Sequence, residues 1–524
     1  MATVLIAIPW LNPFSPGPLP AAVPLLISWG CAAALLGWAG LVQGCLDRNR
    51  AVAAVADAWL LAALLSAALG LLQYFGQVQA LAPWVSYVAP GEAYANLRQR
   101  NQFATLCSIG LMALLWRVAA CQPDPACDDQ AQQTPVAKNW LLWGAALVLL
   151  ACGNAVSGSR TGLLQWWLVA GLSLLWWRQA RRSAPLHSNH GRFAATALLA
   201  LVVYLVCLWL MPWLLLVTTG IESGGLLGRL SEESGCGSRR ILWANVLHLI
   251  ALKPWLGWGW EELDFAHLTT LYPGARFCDI LDNAHNLPLH LAVELGLPFA
   301  LVVCGWLGWL IIRGRPWRET HVARQLAWGV LAVIGLHSMV EYPLWYGPFQ
   351  MAAGLCVWML WRTVPKPVGG PSEGILQKSG VWRNWHPAPA FTYSIAIVLI
   401  ATTGFAAYSY WRVSQLYLPQ AQRGVAYQED AMGKLQGINL FRNQVEFAEL
   451  TTTPITAANA GHLHALAVQL LHFSPEPRVV EKAIESAVLL GRDDVAVYYL
   501  QRYRAAFPKE HALWAALSVG HETP

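Results

Sequence analysis

The chain has 524 residues, of which 56% are hydrophobic, only 12% charged, and 29 are Trp. That balance excludes an ordinary water-soluble globule, and apolar runs near the length that crosses a bilayer, about 20 residues, recur along most of it. The net charge of +5 is scattered rather than gathered into a basic face, which argues against nucleic acid as a partner, and no Cys/His spacing resembles a zinc site.

In chain order the expected membrane spans are Met1–Leu11 (a short one), Ala21–Val42, Ala51–Phe75, Phe103–Trp116, Trp140–Gly153, Gly162–Trp177, Phe193–Val217, Leu289–Ile312, Leu326–Val340, Leu344–Trp361 and Ala390–Trp411. The fold class expected is thus an all-α polytopic membrane protein with about 11 transmembrane helices. Met1–Trp10 lacks a basic n-region and a small-residue cleavage site, so no cleavable signal peptide is expected.

Basic residues near the span ends alternate in sets. Arg48 and Arg50, Arg117 and Lys138, the cluster Arg178, Arg181, Arg182 and Arg192, then Arg313, Arg315 and Arg318, and finally Arg362, Lys366, Lys378 and Arg383 fall on one side. The positive-inside bias makes that side cytoplasmic. Gly76–Asn101, Asn154–Thr161, Thr218–Pro288 and everything after Arg412 then lie on the far side.

Residues 1–411 read as a membrane catalytic domain containing a large outer loop at 218–288 and a Pro/Gly-rich cytoplasmic linker at 362–389. Residues 412–524 read as a periplasmic helical domain. Thr218–Pro288 is too long for a plain connector and too rich in aromatics to be disordered. Within it, Ile241–Leu252 has the pattern of a helix lying on the membrane surface, ended by Lys253-Pro254 and turned by Gly257-Trp258-Gly259-Trp260. Of the 11 Cys, Cys236 and Cys278 are the two expected outside, and an oxidising compartment would permit a disulfide whose proximity the sequence leaves open. Val479–Ala506 reads as two amphipathic helices broken at Gly491-Arg492-Asp493, like one tetratricopeptide hairpin, serving either as a cap on the last span or as a docking surface.

Two polar islands interrupt the apolar runs. In Ser157-Gly158-Ser159-Arg160-Thr161-Gly162, Arg160 stands on the outer side, against the positive-inside trend, among small hydrogen-bonding residues. A snorkelling arginine is the bland alternative; a guanidinium that grips phosphate through two bonds is the functional one. In Asp282-Asn283-Ala284-His285-Asn286, His285 offers a base near neutral pH that a carboxylate can orient, and Asn286 flanks it. His290 follows one turn later. Arg239 and Arg240, an adjacent basic pair before the surface helix, are a second candidate grip on pyrophosphate, and sequence does not separate the two. His337 lies inside a span with Glu341 at its outer end, placed to pair with an arginine of the site. Arg98, Arg100, Asn101 and Gln102 mark another outer boundary.

These residues resemble the bacterial O-antigen ligase and protein O-oligosaccharyltransferase family. The resemblance rests on Ser157-Gly-Ser-Arg160-Thr-Gly162; on Arg240-Ile-Leu-Trp243 followed by Pro254 and Gly257-Trp-Gly259; on Asn283-Ala-His285-Asn286 followed by Glu294-Leu-Gly296; and on His337-Ser-Met-Val-Glu341-Tyr-Pro343. Arg98-Gln-Arg-Asn101-Gln-Phe-Ala104, Glu341-Tyr-Pro-Leu-Trp345-Tyr346 and the helical C-terminal region resemble the protein-glycosylating, pilin-type branch. The resemblance implies transfer of a preassembled oligosaccharide from undecaprenyl pyrophosphate to Ser or Thr of pilin-like or other exported proteins, without cofactor or required metal. His285, Arg160 and Arg240 would be catalytic, and Arg239, Ser159, Arg100, Asn101, Asn286, His337 and Glu341 would bind substrate. Within the enzyme class, ligation to lipid A-core and O-antigen polymerisation are the alternatives. A transporter of anionic lipid or solute is the rival from another class; the absence of an internal repeat and the gathering of the polar residues on one outer face speak against it.

Overall fold

A computed structural model describes residues 1–42, 47–120, 140–183, 190–226, 228, 235–363 and 389–520. Most of the expected cytoplasmic linker, with Lys366, Lys378 and Arg383, and also Lys138, lies outside the described residues. Among the described residues the chain is helical and holds no strand. Six helices are long and apolar enough to cross a membrane by length and composition: Ala22–Leu41, Arg48–Tyr74, Arg100–Ala120, Gly191–Thr219, Leu297–Arg318 and Ala390–Tyr417. Ala2–Leu11 and Trp140–Val156 are shorter apolar helices. The molecule is a membrane protein, and it divides into two compact units.

The first unit comprises Met1–Ser15, Ala21–Glu232 and Ile311–Phe405. It contains α1 (Ala2–Leu11), α2 (Ala22–Leu41), α3 (Arg48–Tyr74), α4 (Arg100–Ala120), α5 (Trp140–Val156), α6 (Arg160–Ser183) and α7 (His190–Thr219). Two more helices of this unit, Val322–Ser338 and Gly347–Arg362, come later in the chain. Helices in lipid gain little from apolar burial against one another, so close packing of small residues must hold them. Accordingly Gly70, Gly110 and Gly153 face Phe103, Ala63 and Ala67 so closely that no Cβ fits. Trp10, Trp59, Trp166 and Trp176 are fully buried in the same core.

Two amides organise the outer segment between α3 and α4. Gln73 Nε2 donates to the carbonyls of Ser86 and Ala95, and its Oε1 accepts from the N–H of Tyr94 and of Ala95. Asn96 Nδ2 donates to the carbonyls of Leu11 and Trp84 while its Oδ1 accepts from Ser86 N–H. A buried amide that fills its bonding capacity this way fixes loop backbone that lacks its own ladder.

The second unit comprises Pro16–Pro20, Glu233–Leu310 and Ala406–Pro524. It holds α8 (Arg239–Leu252), α9 (Leu263–Thr269), α10 (Leu287–Leu295) and α11 (Leu297–Gly314). The single span expected over Leu289–Ile312 is in fact two helices, broken at Gly296 with φ +87°. The break lets two backbones cross. Leu297 N–H donates to Pro254 O at 2.8 Å, Trp258 N–H to Val293 O at 2.9 Å and Gly259 N–H to Glu294 O at 3.0 Å. A Cβ on Gly296 would strike Trp255 backbone, and one on Gly257 would strike Glu294 backbone. Only glycine tolerates both the left-handed backbone and that proximity.

The expected hairpin in the C-terminal region corresponds to Pro477–Leu489 and Asp493–Ala506, turned at Gly491 with φ +68°. Val479, Val480, Ala483, Ile484 and Ala487 of the first helix are buried against it. Leu268 of α9 joins this same apolar core. Phe265 stacks on His472 with ring centroids 3.7 Å apart, His472 Nδ1 lies 2.7 Å from Glu262 Oε2, and Arg502 Nε donates to Thr269 O. Segment 218–288 therefore owes part of its order to the C-terminal helices. Cys236 and Cys278, whose pairing the sequence left open, are disulfide-bonded, with Cα atoms 5.4 Å apart.

Candidate active site

In the first unit, α5 and α6 are joined by only Ser157, Gly158 and Ser159. Gly158 makes the turn at φ +60°. Ser157 Oγ donates to Asn154 O, and Ser159 Oγ accepts from Gly162 N–H at 3.1 Å, which caps the start of α6. Arg160 is therefore the first residue of α6, and it is exposed. A cation at a helix N-terminus opposes the helix dipole, so the placement costs free energy that a bound anion recovers.

Three distant parts of the sequence meet under this turn. Ser159 Oγ donates to Asn101 Oδ1 at 2.6 Å, and Asn101 Nδ2 donates to Glu341 Oε1 at 3.1 Å. Glu341 is buried; the sequence suggested an arginine as its partner, and the bond described here comes instead from an amide of α4. One turn deeper, Thr105 Oγ1 lies 2.9 Å from His337 Nδ1 and accepts from Gln165 Nε2 at 2.8 Å. Gln165 Nε2 also reaches Val333 O, and its Oε1 accepts from Ser108. His337 is fully buried, so it supports the wall of the site from within the helices. Arg100 pairs with Glu92, and Arg98 donates to Pro13 O. A cavity of about 380 Å³ opens beside this turn, with Tyr74, Arg100, Ser157 and Gly158 in its lining.

In the second unit, Ser238 Oγ accepts from Ile241 N–H and starts α8, so Arg239 and Arg240 are its first two residues. They too stand at a helix N-terminus. Arg239 is half-buried and Arg240 exposed. Trp243, one turn on, donates its indole N–H to Ala284 O at 3.1 Å and ties α8 to the loop that carries His285. His285 has φ +49°. A non-glycine residue in that region is held against a cost of order 1–3 kcal/mol, and such residues gather where function over-determines the backbone. The restraints are visible: Asn283 Oδ1 accepts from His285 N–H at 2.9 Å, and Asn286 Oδ1 accepts from Leu289 N–H at 3.0 Å, capping α10. His285 is half-buried. His290 is buried, with Nε2 3.5 Å from Glu294 Oε2.

Behind the loop, His267 Nε2 faces Phe277 O at 3.1 Å and Nδ1 faces Tyr272 Oη at 2.8 Å. A carbonyl only accepts, so Nε2 carries the proton and Nδ1 accepts from the tyrosine. Burial, reinforced by Arg276, pushes the His267 imidazolium pKa down to about 3. Burial first, then the Asp282 and Glu262 charges, raises the Asp264 carboxyl to about 7. Among the described residues no group of three His, Cys, Asp or Glu side chains is placed to hold a metal ion.

Gln73, Asn96, Thr105 and Gln165 were not among the residues singled out from sequence. Gln73 and Gln165 are lone amides on apolar helices, a signal that marks a satisfied buried network as readily as a ligand site.

Comparison with known proteins places these elements. Residues 145–304 match a family model described as O-antigen ligase, and residues 93–118 match one described as protein glycosylation ligase. Residues 325–520 match one described as virulence factor membrane-bound polymerase, C-terminal. The chain is 24% identical over 370 residues to a General O-oligosaccharyltransferase of Acinetobacter baylyi, covering 67% of this chain and 60% of that protein. It is 24% identical over 268 residues to a ComP-specific O-oligosaccharyltransferase of the same organism, covering 51% of this chain and 43% of that protein. The alignments thus span about half the length of these relatives. No solved structure matches significantly. The first two matched segments contain the Arg160, His285 and Asn101 elements, and over them the chain is similar to membrane-bound O-antigen ligases and protein glycosylation ligases.

Proposed function

We propose that this chain transfers a preassembled oligosaccharide from undecaprenyl pyrophosphate to Ser or Thr hydroxyls of exported proteins. The observation that carries the reading is the repeated placement of arginines at helix N-termini. Arg160 heads α6 and Arg239 and Arg240 head α8, each adding guanidinium charge where the helix dipole is already positive. That arrangement suits a dianionic or more highly charged ligand such as a lipid diphosphate. The similarity to proteins named O-oligosaccharyltransferases supports a protein acceptor.

In this mechanism Arg160 and Arg240 stabilise the charge that grows on the leaving diphosphate oxygen, with Arg239 as a neighbouring grip. Preorganised donors of this kind are worth about 10²–10³ in rate each. His285, held by Asn283 and followed by the capping Asn286, takes the proton of the acceptor hydroxyl. The hydroxyl then displaces the diphosphate in one step, which inverts the anomeric centre. Ser159, Asn101 and Glu341 position Arg160, His337 braces them, and Arg100 contacts substrate from the neighbouring wall.

The topology that serves this chemistry has eleven spans in the bacterial inner membrane. Residues 218–288 and a tetratricopeptide-like region within 412–524 are periplasmic, 362–389 is cytoplasmic, and residues 1–411 form the catalytic domain. The C-terminal helices present a docking surface to the acceptor. The match of residues 145–304 to O-antigen ligase keeps one alternative in view, ligation of the same donor to lipid A-core.

Reconstitution in vesicles with lipid-linked glycan tests both. Supplied with an exported acceptor protein and with lipid A-core together, the chain is expected to add the glycan mass to the protein. Glycan on lipid A-core alone would establish the ligase, and transfer to neither would refute the enzyme reading. His285→Ala and Arg160→Ala are each expected to abolish transfer while still inserting, and full activity in either removes that residue from the mechanism.

A further inference from the structure

We infer that the cavity beside the Ser157–Gly158 turn is a subsite for the sugar rings nearest the lipid diphosphate. The inference rests on the transfer reaction proposed above. The cavity lies wholly within the first unit and measures about 380 Å³, inside the usual range for small-molecule sites. Its wall is the same turn that delivers Arg160 two residues later.

The charge of the lining decides what enters. Arg100 is neutralised by Glu92, and both line the cavity. Glu222 also lines it, is exposed, and has no ion pair among the described residues. Among the described lining residues Glu222 leaves one carboxylate in excess, which disfavours the diphosphate itself. The Glu222 carboxylate oxygens are instead matched to hydroxyl groups, while Ser223 Oγ donates to Gly91 O and accepts from Gly225 N–H. Tyr74, Leu208 and Pro212 add aromatic and apolar surface to the lining. A lining that mixes hydrogen-bonding groups with apolar surface fits a sugar ring, whose edge carries hydroxyls and whose face carries C–H groups.

The test uses purified full-length protein in detergent and two probes: lipid-linked oligosaccharide extracted from the host of this protein, and undecaprenyl diphosphate without sugar. Glu222→Ala removes the unpaired carboxylate. Gly224→Leu fills the opening from a position without positive φ and with only Gly228 backbone at van der Waals distance. Each is expected to weaken the glycan-bearing lipid about tenfold, the equivalent of one charge-assisted hydrogen bond, and to leave the sugar-free lipid within about twofold.

Three outcomes overturn the subsite. Unchanged affinity for both lipids in both variants empties the cavity of any donor role. An equal loss for both lipids makes it a diphosphate site. A loss seen only in the binding of an added acceptor protein assigns it to the acceptor. Because binding is read without turnover, absence of glycan transfer refutes the enzyme reading separately from this one.

Discussion

Asn101→Ala cuts a side chain that joins three sequence-distant elements, and its effect can be worked from the bonds it makes. The Ser159 Oγ bond at 2.6 Å is neutral and is worth about 1 kcal/mol. The bond to the buried Glu341 carboxylate at 3.1 Å is charge-assisted and is worth about 1.5–3 kcal/mol. Their sum of about 2.5–4 kcal/mol, expressed entirely as misplacement of Arg160, lowers kcat/KM by about 10²–10³. The guanidinium remains in the protein, so the loss falls short of that for a variant lacking both cation and tether. Initial rates of glycan transfer in vesicles measure it, paired with thermal unfolding in detergent to report folding. Ser159→Ala removes only the weaker bond, and the two substitutions combined are expected to couple by about 1 kcal/mol because they share a contact. A kcat/KM within about twofold of wild type, in a protein of normal Tm, would refute the tether. So would a loss that tracks a fall in Tm across the series.

Acid should destabilise the second unit through His267. Its folded pKa of about 3 lies below its ordinary value of 6.5, so the stability it contributes is complete above pH 6.5 and drains away as pH falls toward 3. Asp264 works in the opposite sense: its folded pKa of about 7 exceeds its ordinary value, so its contribution is present in acid and is lost as pH rises through 7. Asp264→Asn should raise Tm relative to wild type more at pH 8 than at pH 5, and melting curves at both values check this. Breaking the Cys236–Cys278 bond, 42 residues apart in sequence, should cost about 4 kcal/mol by loop-closure entropy, seen as a lower denaturation midpoint in Cys278→Ser or under reductant. Gly296→Ala drives a methyl into Trp255 backbone at a positive φ, and a yield of folded protein equal to wild type would contradict the crossing described above.

The two polar islands stand out in the sequence because polarity is costly beside lipid. Arg160 and His285 announce themselves as exceptions within apolar sequence, and Pro, Gly and Asn around them mark turns. The C-terminal hairpin was legible from its periodicity, since Ala483 and Ala487, and after the break Ala496, Tyr499 and Tyr503, repeat at helical spacing. What could not be read is pairing between distant segments. Nothing in Asn101 names Glu341 as its partner, 240 residues away. The break at Gly296 escaped because its cause lies at Trp255, in another part of the chain, and a glycine inside an apolar run reads equally well as helix. Gln165 was passed over for a related reason: one amide in a hydrophobic helix does not reveal that its bonds close on Thr105, Ser108 and Val333.

The crossing of Gly257 with Gly296 gives the proposed catalytic loop a mechanical linkage to the lipid. Pro254 is bonded to the first residue of α11, a helix long and apolar enough to traverse the bilayer, and α10 runs from that junction back to the residue after His285. With no slack at either glycine, a helix that tilts or rides up to suit a thinner or thicker hydrocarbon slab carries the imidazole with it. Acyl-chain length thereby becomes a control on where the base sits, and transfer rates in vesicles of graded thickness should show an optimum that Gly257→Ala abolishes.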